Sequence, residues 1–102
     1  MTTINQIKSF IKKYNIENEL KKSFSNLLIM NDCEDLNIKD KNIEIDKNNI
    51  QYVKTTLGFH LFKTSILKNN EKIGYYALEY DENFEIIDDY FINKTVISSG
   101  IL

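Results

Sequence analysis

The chain has 102 residues, a length that supports one hydrophobic core and excludes a second, so residues 1–102 are read as a single domain. With 42% hydrophobic residues, 27% charged residues and a net charge of −2, it belongs with ordinary globular domains, not with disordered or membrane-embedded chains. Every basic residue is Lys, and without the planar fork of Arg the case for sequence-specific nucleic-acid readout is weak.

Thr3 followed by Gln6 has the spacing of a capping box, and Ile4, Ile7, Ile11 and Tyr14 then recur at helical intervals, which predicts an amphipathic helix. After a break near Asn15, the stripe Ile16, Leu20, Phe24, Leu27 and Leu28 predicts a second helix, with Glu17 four residues before Lys21 and a stop at Asn31 and Asp32. The first part of the acidic stretch from Asp32 to Asp46 reads as loop. Ile43 and Ile45, then Ile50 and Tyr52, flank Asn48 and Asn49, a pairing that suggests a first hairpin because Asn tolerates positive φ.

Gly58 marks a bend before the β-branched and aromatic segment Phe59 to Leu67. Asn69 and Asn70 repeat the hairpin signal as a two-residue turn, setting Lys68 opposite Glu71, Ile66 opposite Ile73, Phe62 opposite Ala77 and His60 opposite Glu79. A second turn over Asp81 to Asn83 sets Tyr80 opposite Phe84, Leu78 opposite Ile86 and Tyr76 opposite Asp88. In that register one face collects Phe62, Ile66, Ile73, Ala77, Ile87 and Phe91, and the other Leu61, Tyr76, Leu78, Ile86, Asp88 and Tyr90.

The expected fold is therefore α+β, with two N-terminal helices packed on one face of a four- or five-stranded antiparallel meander sheet. The helices are expected to cover the face of Phe62 and Ile66, leaving tyrosines and acids outward, with the opposite packing as a near-equal alternative. The tail from Lys94 to Leu102 is a candidate cap for part of the open face.

Charge is unevenly placed. Residues 1–31 hold five lysines (Lys8, Lys12, Lys13, Lys21 and Lys22) against Glu17 and Glu19, a net +3. Residues 73–92 hold Glu79, Asp81, Glu82, Glu85, Asp88 and Asp89 with no Lys, a net −6. Such an excess steers an oppositely charged partner and rejects others, although charged residues also keep an exposed edge soluble. Tyr75, Tyr76, Tyr80 and Tyr90 lie in the same stretch, and tyrosine among acids is what a docking patch for a basic protein contains.

Catalytic and metal signals are weak. His60, the single histidine, is placed with Glu79 and Glu85, a trio that lacks a second nitrogen or sulfur ligand. Cys33 has no base beside it in sequence and reads as a plain thiol. Asp88 and Asp89, adjacent on a strand, point to opposite faces and cannot act as a carboxylate pair. Asp81, Asn83 and Glu85 alternate as calcium ligands do, without the glycine and closing glutamate of a calcium loop. The lysine pairs Lys12–Lys13 and Lys21–Lys22 read as solvated helix faces, and the isolated Gly58, Gly74 and Gly100 form no phosphate-binding loop. Neither an enzyme active site nor a cofactor or metal site is expected. A lone cysteine, no signal-like apolar segment in Met1 to Phe10 and no long apolar run give the cytoplasm as the expected location.

The compact acidic α+β build and the segment EKIGYYALEYDENFEIIDDYFIN, residues 71–93, resemble the small immunity proteins of bacterial toxin systems such as contact-dependent growth inhibition. The resemblance implies a tight inhibitor of one cognate toxin domain, often a basic nuclease, acting by occlusion. Implied partner-binding residues are Tyr76, Asp88 and Tyr90 on one face, with Glu79, Tyr80, Asp81, Glu82 and Glu85 around them. Two other readings stay open: a small-molecule-binding or enzymatic domain of NTF2-like build, with His60 and Glu79 or Asp89 converging in an apolar cavity, and a dimeric scaffold.

Overall fold

The computed structural model describes residues 3–93. Thr3 opens α1 (Ile4–Lys13) with the expected capping box: its hydroxyl oxygen accepts from the Gln6 N–H at 3.2 Å, and Gln6 Oε1 accepts from the Thr3 N–H at 2.8 Å. Asn15 takes the left-handed conformation at φ 53°, and the chain turns directly into α2 (Ile16–Met30). Ile16, Leu20 and Phe24, one turn apart, are buried against the sheet, each contributing about 1.5–3 kcal/mol of transfer free energy. No residue of α1 is fully buried, and its Phe10 and Ile11, with Tyr14 just beyond, pack at the margin of that core.

Past Asn31 the stretch expected to be loop forms one helical turn, α3 (Cys33–Leu36), in which Asp32 and Asp35 cap each other's main-chain N–H groups. A four-residue helix shows no periodicity, so only its capping acids signal it. The sheet follows, as β1 (Glu44–Ile45), β2 (Gln51–Lys54), β3 (His60–Lys68), β4 (Glu71–Tyr80) and β5 (Ile86–Asn93). Two main helices followed by a five-stranded antiparallel sheet is the expected α+β layout.

The first hairpin is not formed. β1 and β2 both pair with β3, β1 at Ile66 and Leu67 and β2 at His60 to Lys63, so they are two pieces of one interrupted edge. Between them the chain loops out, held by the Asp46 N–H on the Ser65 carbonyl at 2.9 Å and by the Thr64 hydroxyl on the Asp46 carbonyl. The true hairpin of this region runs from β2 to β3 through Thr55–Phe59, with Gly58 at φ +82°.

Asn69 and Asn70 form the expected two-residue turn at φ 52° and 66°, with Lys68 opposite Glu71. A bulge at the Ile66–Leu67 step then leaves Ile73 without a partner and sets Ile66 opposite Gly74, Phe62 opposite Leu78 and His60 opposite Tyr80. This one-residue slip corrects the expected faces. Tyr76, Leu78 and Tyr80 join Phe62 and Ile66 under the helices, and Ala77 goes to the other side.

The next turn is also longer than expected, Asp81–Glu85, closed by the Asp81 N–H on the Glu85 carbonyl at 2.8 Å. It pairs Tyr76 with Phe91, Leu78 with Asp89 and Glu79 with Asp88, with a bulge before Tyr80 and Ile86. Phe91 stays on the helix side, packed on Phe24, whereas Ile87 is 47% exposed and not in the core. The helices cover one face only, and the tail from Lys94 lies outside the described residues. No helix among the described residues is long and apolar enough to cross a membrane.

β5 lies close against Gly74 of β4, where an added Cβ would lie 1.8 Å from the Ile92 carbonyl oxygen. Since that atom is backbone, Gly74→Ala forces the strands apart and should cost about 2–3 kcal/mol in urea denaturation. At Gly58, where a Cβ meets nothing within 4 Å, Ala suffers only the positive φ and should cost about 1 kcal/mol. Equal losses for the two variants would remove close approach as the reason for Gly74.

Candidate functional site

The face turned away from the helices is built from alternate residues: Leu61, Lys63 and Ser65 of β3, Tyr75, Ala77 and Glu79 of β4, and Asp88, Tyr90 and Ile92 of β5. Register places Glu79 directly opposite Asp88. Like charges across a strand pair repel, at a cost of about 0.2–1 kcal/mol. No described lysine lies within 4 Å of either carboxylate, since Lys68–Asp40, at 3.0 Å, is the single ion pair among the described residues. Lys63, the nearest basic residue in register, lies over the Tyr75 ring at 4.9 Å.

Tyr90 donates its hydroxyl to Glu79 Oε1 at 2.8 Å, and this bond pushes the phenol pKa up to about 12. The ring is 38% exposed, so Tyr90 presents an apolar surface with its polar end already committed to the acid beside it. Ala77, flanked across the strands by Lys63 and Tyr90, is covered by these larger neighbours.

Beyond the strand ends stands the acidic turn. The Asp81 carboxylate accepts from the Asn83 N–H at 2.8 Å and the Glu85 N–H at 3.0 Å, so it shapes the turn, while Glu82 and Glu85 are exposed. Phe84 holds the turn down. Its backbone sits in the left-handed region at φ 60°, unusual for an aromatic residue, and its ring is stacked against Tyr14 and His60, each at 4.0 Å, with Phe10 at 4.9 Å. Sequence reading missed Phe84, although an aromatic residue alone among turn acids was the available signal.

Two expected docking residues are removed. Tyr76 is fully buried beneath Phe24 and donates to Asp89 Oδ2 at 3.1 Å; burial, then Asp89, raises its hydroxyl pKa. Tyr80 is 2% exposed and edge-on to Phe62, and burial raises its hydroxyl pKa as well. The bulge that turns them inward explains both corrections. Asp88 and Asp89 do point to opposite faces, Asp88 beside Glu79 and Asp89 toward Tyr76.

The trio of His60, Glu79 and Glu85 is not assembled. His60 faces Tyr80 on the helix side, 8% exposed, with its Nδ1 2.6 Å from the Tyr52 hydroxyl, while Glu79 is on the opposite face. No group of three or more possible metal ligands occurs among the described residues. Cys33 is a free, half-buried thiol in α3. A surface cavity of about 610 Å³ opens elsewhere, lined by Ile38, Asp40, Ile43, Lys68 and Ile73 among others; His60, Glu79 and Asp89 do not line it. His60 and Glu79, on opposite faces, therefore do not converge in one pocket.

His60 makes stability depend on pH. Burial, and secondarily the charge of Lys54, lowers its pKa below the ordinary 6.5, against the opposing charge of Asp81. As pH falls, the unfolded chain takes up the proton first, so stability is full above the unfolded pKa and is lost as pH falls through the folded value. Urea midpoints should drop between about pH 7.5 and about pH 5, and the drop should shrink in His60→Phe. An equal drop in the variant would assign the effect to other groups.

No protein-family model, curated protein or solved structure matches the chain.

Proposed function

We propose that this chain is a binding protein that docks through its open sheet face and β4–β5 turn onto a basic protein surface, and that the partner is a toxin domain which it neutralises. The observation that carries the reading is the facing pair Glu79 and Asp88, without a lysine partner among the described residues, beside the half-exposed Tyr90. Uncompensated like charge on a rigid sheet disfavours the free protein slightly and becomes favourable against a cationic partner.

On this reading Glu79, Asp88 and Tyr90 form the centre of the contact, with Glu82 and Glu85 on the rim and Asp81 shaping the turn. A nuclease domain suits such a surface, since it must bind phosphate and is basic where it does so; acids placed over that region exclude the substrate by occupying its site. The resemblance of residues 71–93 to toxin-immunity proteins supports the same partner class. Binding, not catalysis, is the activity, and the cytoplasm, where Cys33 stays reduced, is its location.

The test looks immediately upstream of this gene for a large protein ending in a toxin-sized domain and expresses that domain in a sensitive host with and without the chain. Co-expression should restore growth. Reversing the exposed Asp88 and Glu85 to Lys should slow association of the purified proteins about tenfold or more at low salt and flatten its salt dependence, with the fold retained. Failure to restore growth, or an unchanged on-rate at low salt, would overturn the proposal.

A further inference from the structure

The end of the open face away from Glu79 is basic. A cavity of about 250 Å³ opens there, and its lining includes Lys63 and Ser65 of β3, Lys72 and Tyr75 of β4, Gln51 of β2 and Asn49 of the loop before it. No carboxylate is among the described residues that line it. Tyr75 is four residues from Glu79 along β4, about 13 Å, which exceeds the Debye length at physiological salt. The acids therefore do little to repel an anion from this cavity.

The β3 bulge builds the cavity. Lys72 and Tyr75 are three residues apart, so regular alternation would send them to opposite faces. The unpaired Ile73 makes up the difference, and both reach the same cavity. Gln51 pairs with Lys63 across β2 and β3, and Ser65 pairs with Tyr75 across β3 and β4, which completes the wall.

The direction of Lys63 shows what the cavity is suited to hold. Lys63 is opposite Ala77, so its diagonal neighbours on the open face of β4 are Glu79 and Tyr75. Pairing with Glu79 would compensate both charges. The half-buried Lys63 turns the other way, with its ammonium 4.9 Å from the centre of the Tyr75 ring, at the cavity. That contact fixes the ammonium and leaves its N–H donors without an acceptor among the described residues. Lys72 likewise has no ion pair among the described residues. Two cations that share a cavity repel one another, and an anion between them removes the repulsion. The side chains of Asn49, Gln51 and Ser65, which make no hydrogen bond among the described residues, add neutral donors.

These groups select a class of anion. Two lysines match a charge near −2, as a phosphate carries at neutral pH, and five donor side chains match an ion with several oxygens. A carboxylate, with one charge and two oxygens, would leave much of the set unused. The volume is roughly eight times the share of one water molecule, about 30 Å³, so a tetrahedral ion enters with part of its hydration.

We infer that this cavity binds a tetrahedral oxyanion, either free phosphate or the phosphoryl group of a monoester, between Lys63 and Lys72. The inference does not rest on the toxin partner, and failure of growth rescue leaves it standing.

The probe is inorganic phosphate, added at constant ionic strength to the isotope-labelled full chain, with methyl phosphate and acetate in parallel titrations. The main-chain amide signals of Gln51, Ser65 and Lys72 and the side-chain amide signals of Asn49 and Gln51 should shift saturably, with a Kd of about 1 mM or tighter. Acetate should bind about tenfold or more weakly. Methyl phosphate binding as tightly as phosphate assigns the site to a phosphoryl group carried on a larger molecule, and binding of phosphate alone assigns it to the free ion. Lys63→Gln and Lys72→Gln should each weaken phosphate binding about tenfold, whereas Lys54→Gln, on β2 outside the cavity, should leave it unchanged. Lys72 is exposed, so Lys72→Gln should retain the dispersed amide spectrum of the folded chain and keeps the test decisive. No saturable shift, equal affinity for acetate, or undiminished binding in the Lys63 and Lys72 variants would overturn the site.

Discussion

The bulge at the Ile66–Leu67 step of β3, with Ile73 unpaired opposite it, governs the arrangement of almost everything beyond the β3–β4 turn. Side chains alternate along a strand, so one extra residue exchanges the two faces of β4 from that point on. Without it the alternation would bring Ala77 under the helices. With it Tyr76, Leu78 and Tyr80 pack there with Ile16, Leu20 and Phe24, and Ile73 stays at the margin of the core.

The same slip determines the chemistry of the open face. It delivers Glu79 to the outside and, through the longer second turn, brings Asp88 opposite it and Tyr90 within hydrogen-bonding distance. Phe84 holds that turn. A non-glycine residue in the left-handed region costs about 1–3 kcal/mol. Ring contacts to Tyr14, His60 and Phe10 contribute about 0.5–1.5 kcal/mol each beyond the area they bury, enough to offset the strain. The acidic turn is consequently fastened to α1 and to the start of β3, a rigid mount for exposed carboxylates.

Core and surface thus follow opposite rules in the same hairpin. Beneath the helices, the polar groups of His60, Tyr76 and Thr64 each have a partner, whereas the Tyr80 hydroxyl has none among the described residues. On the open face, the Glu79 and Asp88 carboxylates stand opposite one another with no ion-pair partner among the described residues. A lysine at position 88 would relieve that repulsion.

Local features were legible from the amino-acid order because each depends on neighbours within a few residues: the Thr3–Gln6 capping box, the break at Asn15, the stripe of Ile16, Leu20 and Phe24, the Asn69–Asn70 turn, and the opposed directions of Asp88 and Asp89. The helices-then-sheet layout followed from the same local signals. Tertiary structure alone decided that Asn48 and Asn49 lie in an edge loop, that Tyr76 and Tyr80 are core residues, and that His60 and Glu79 are on opposite faces. These outcomes turn on bulges and turn lengths, which are chosen by how much apolar surface α2 can bury on one register against the next. That comparison involves residues some fifty positions apart, Phe24 and Tyr76 among them, and no short window of sequence contains it.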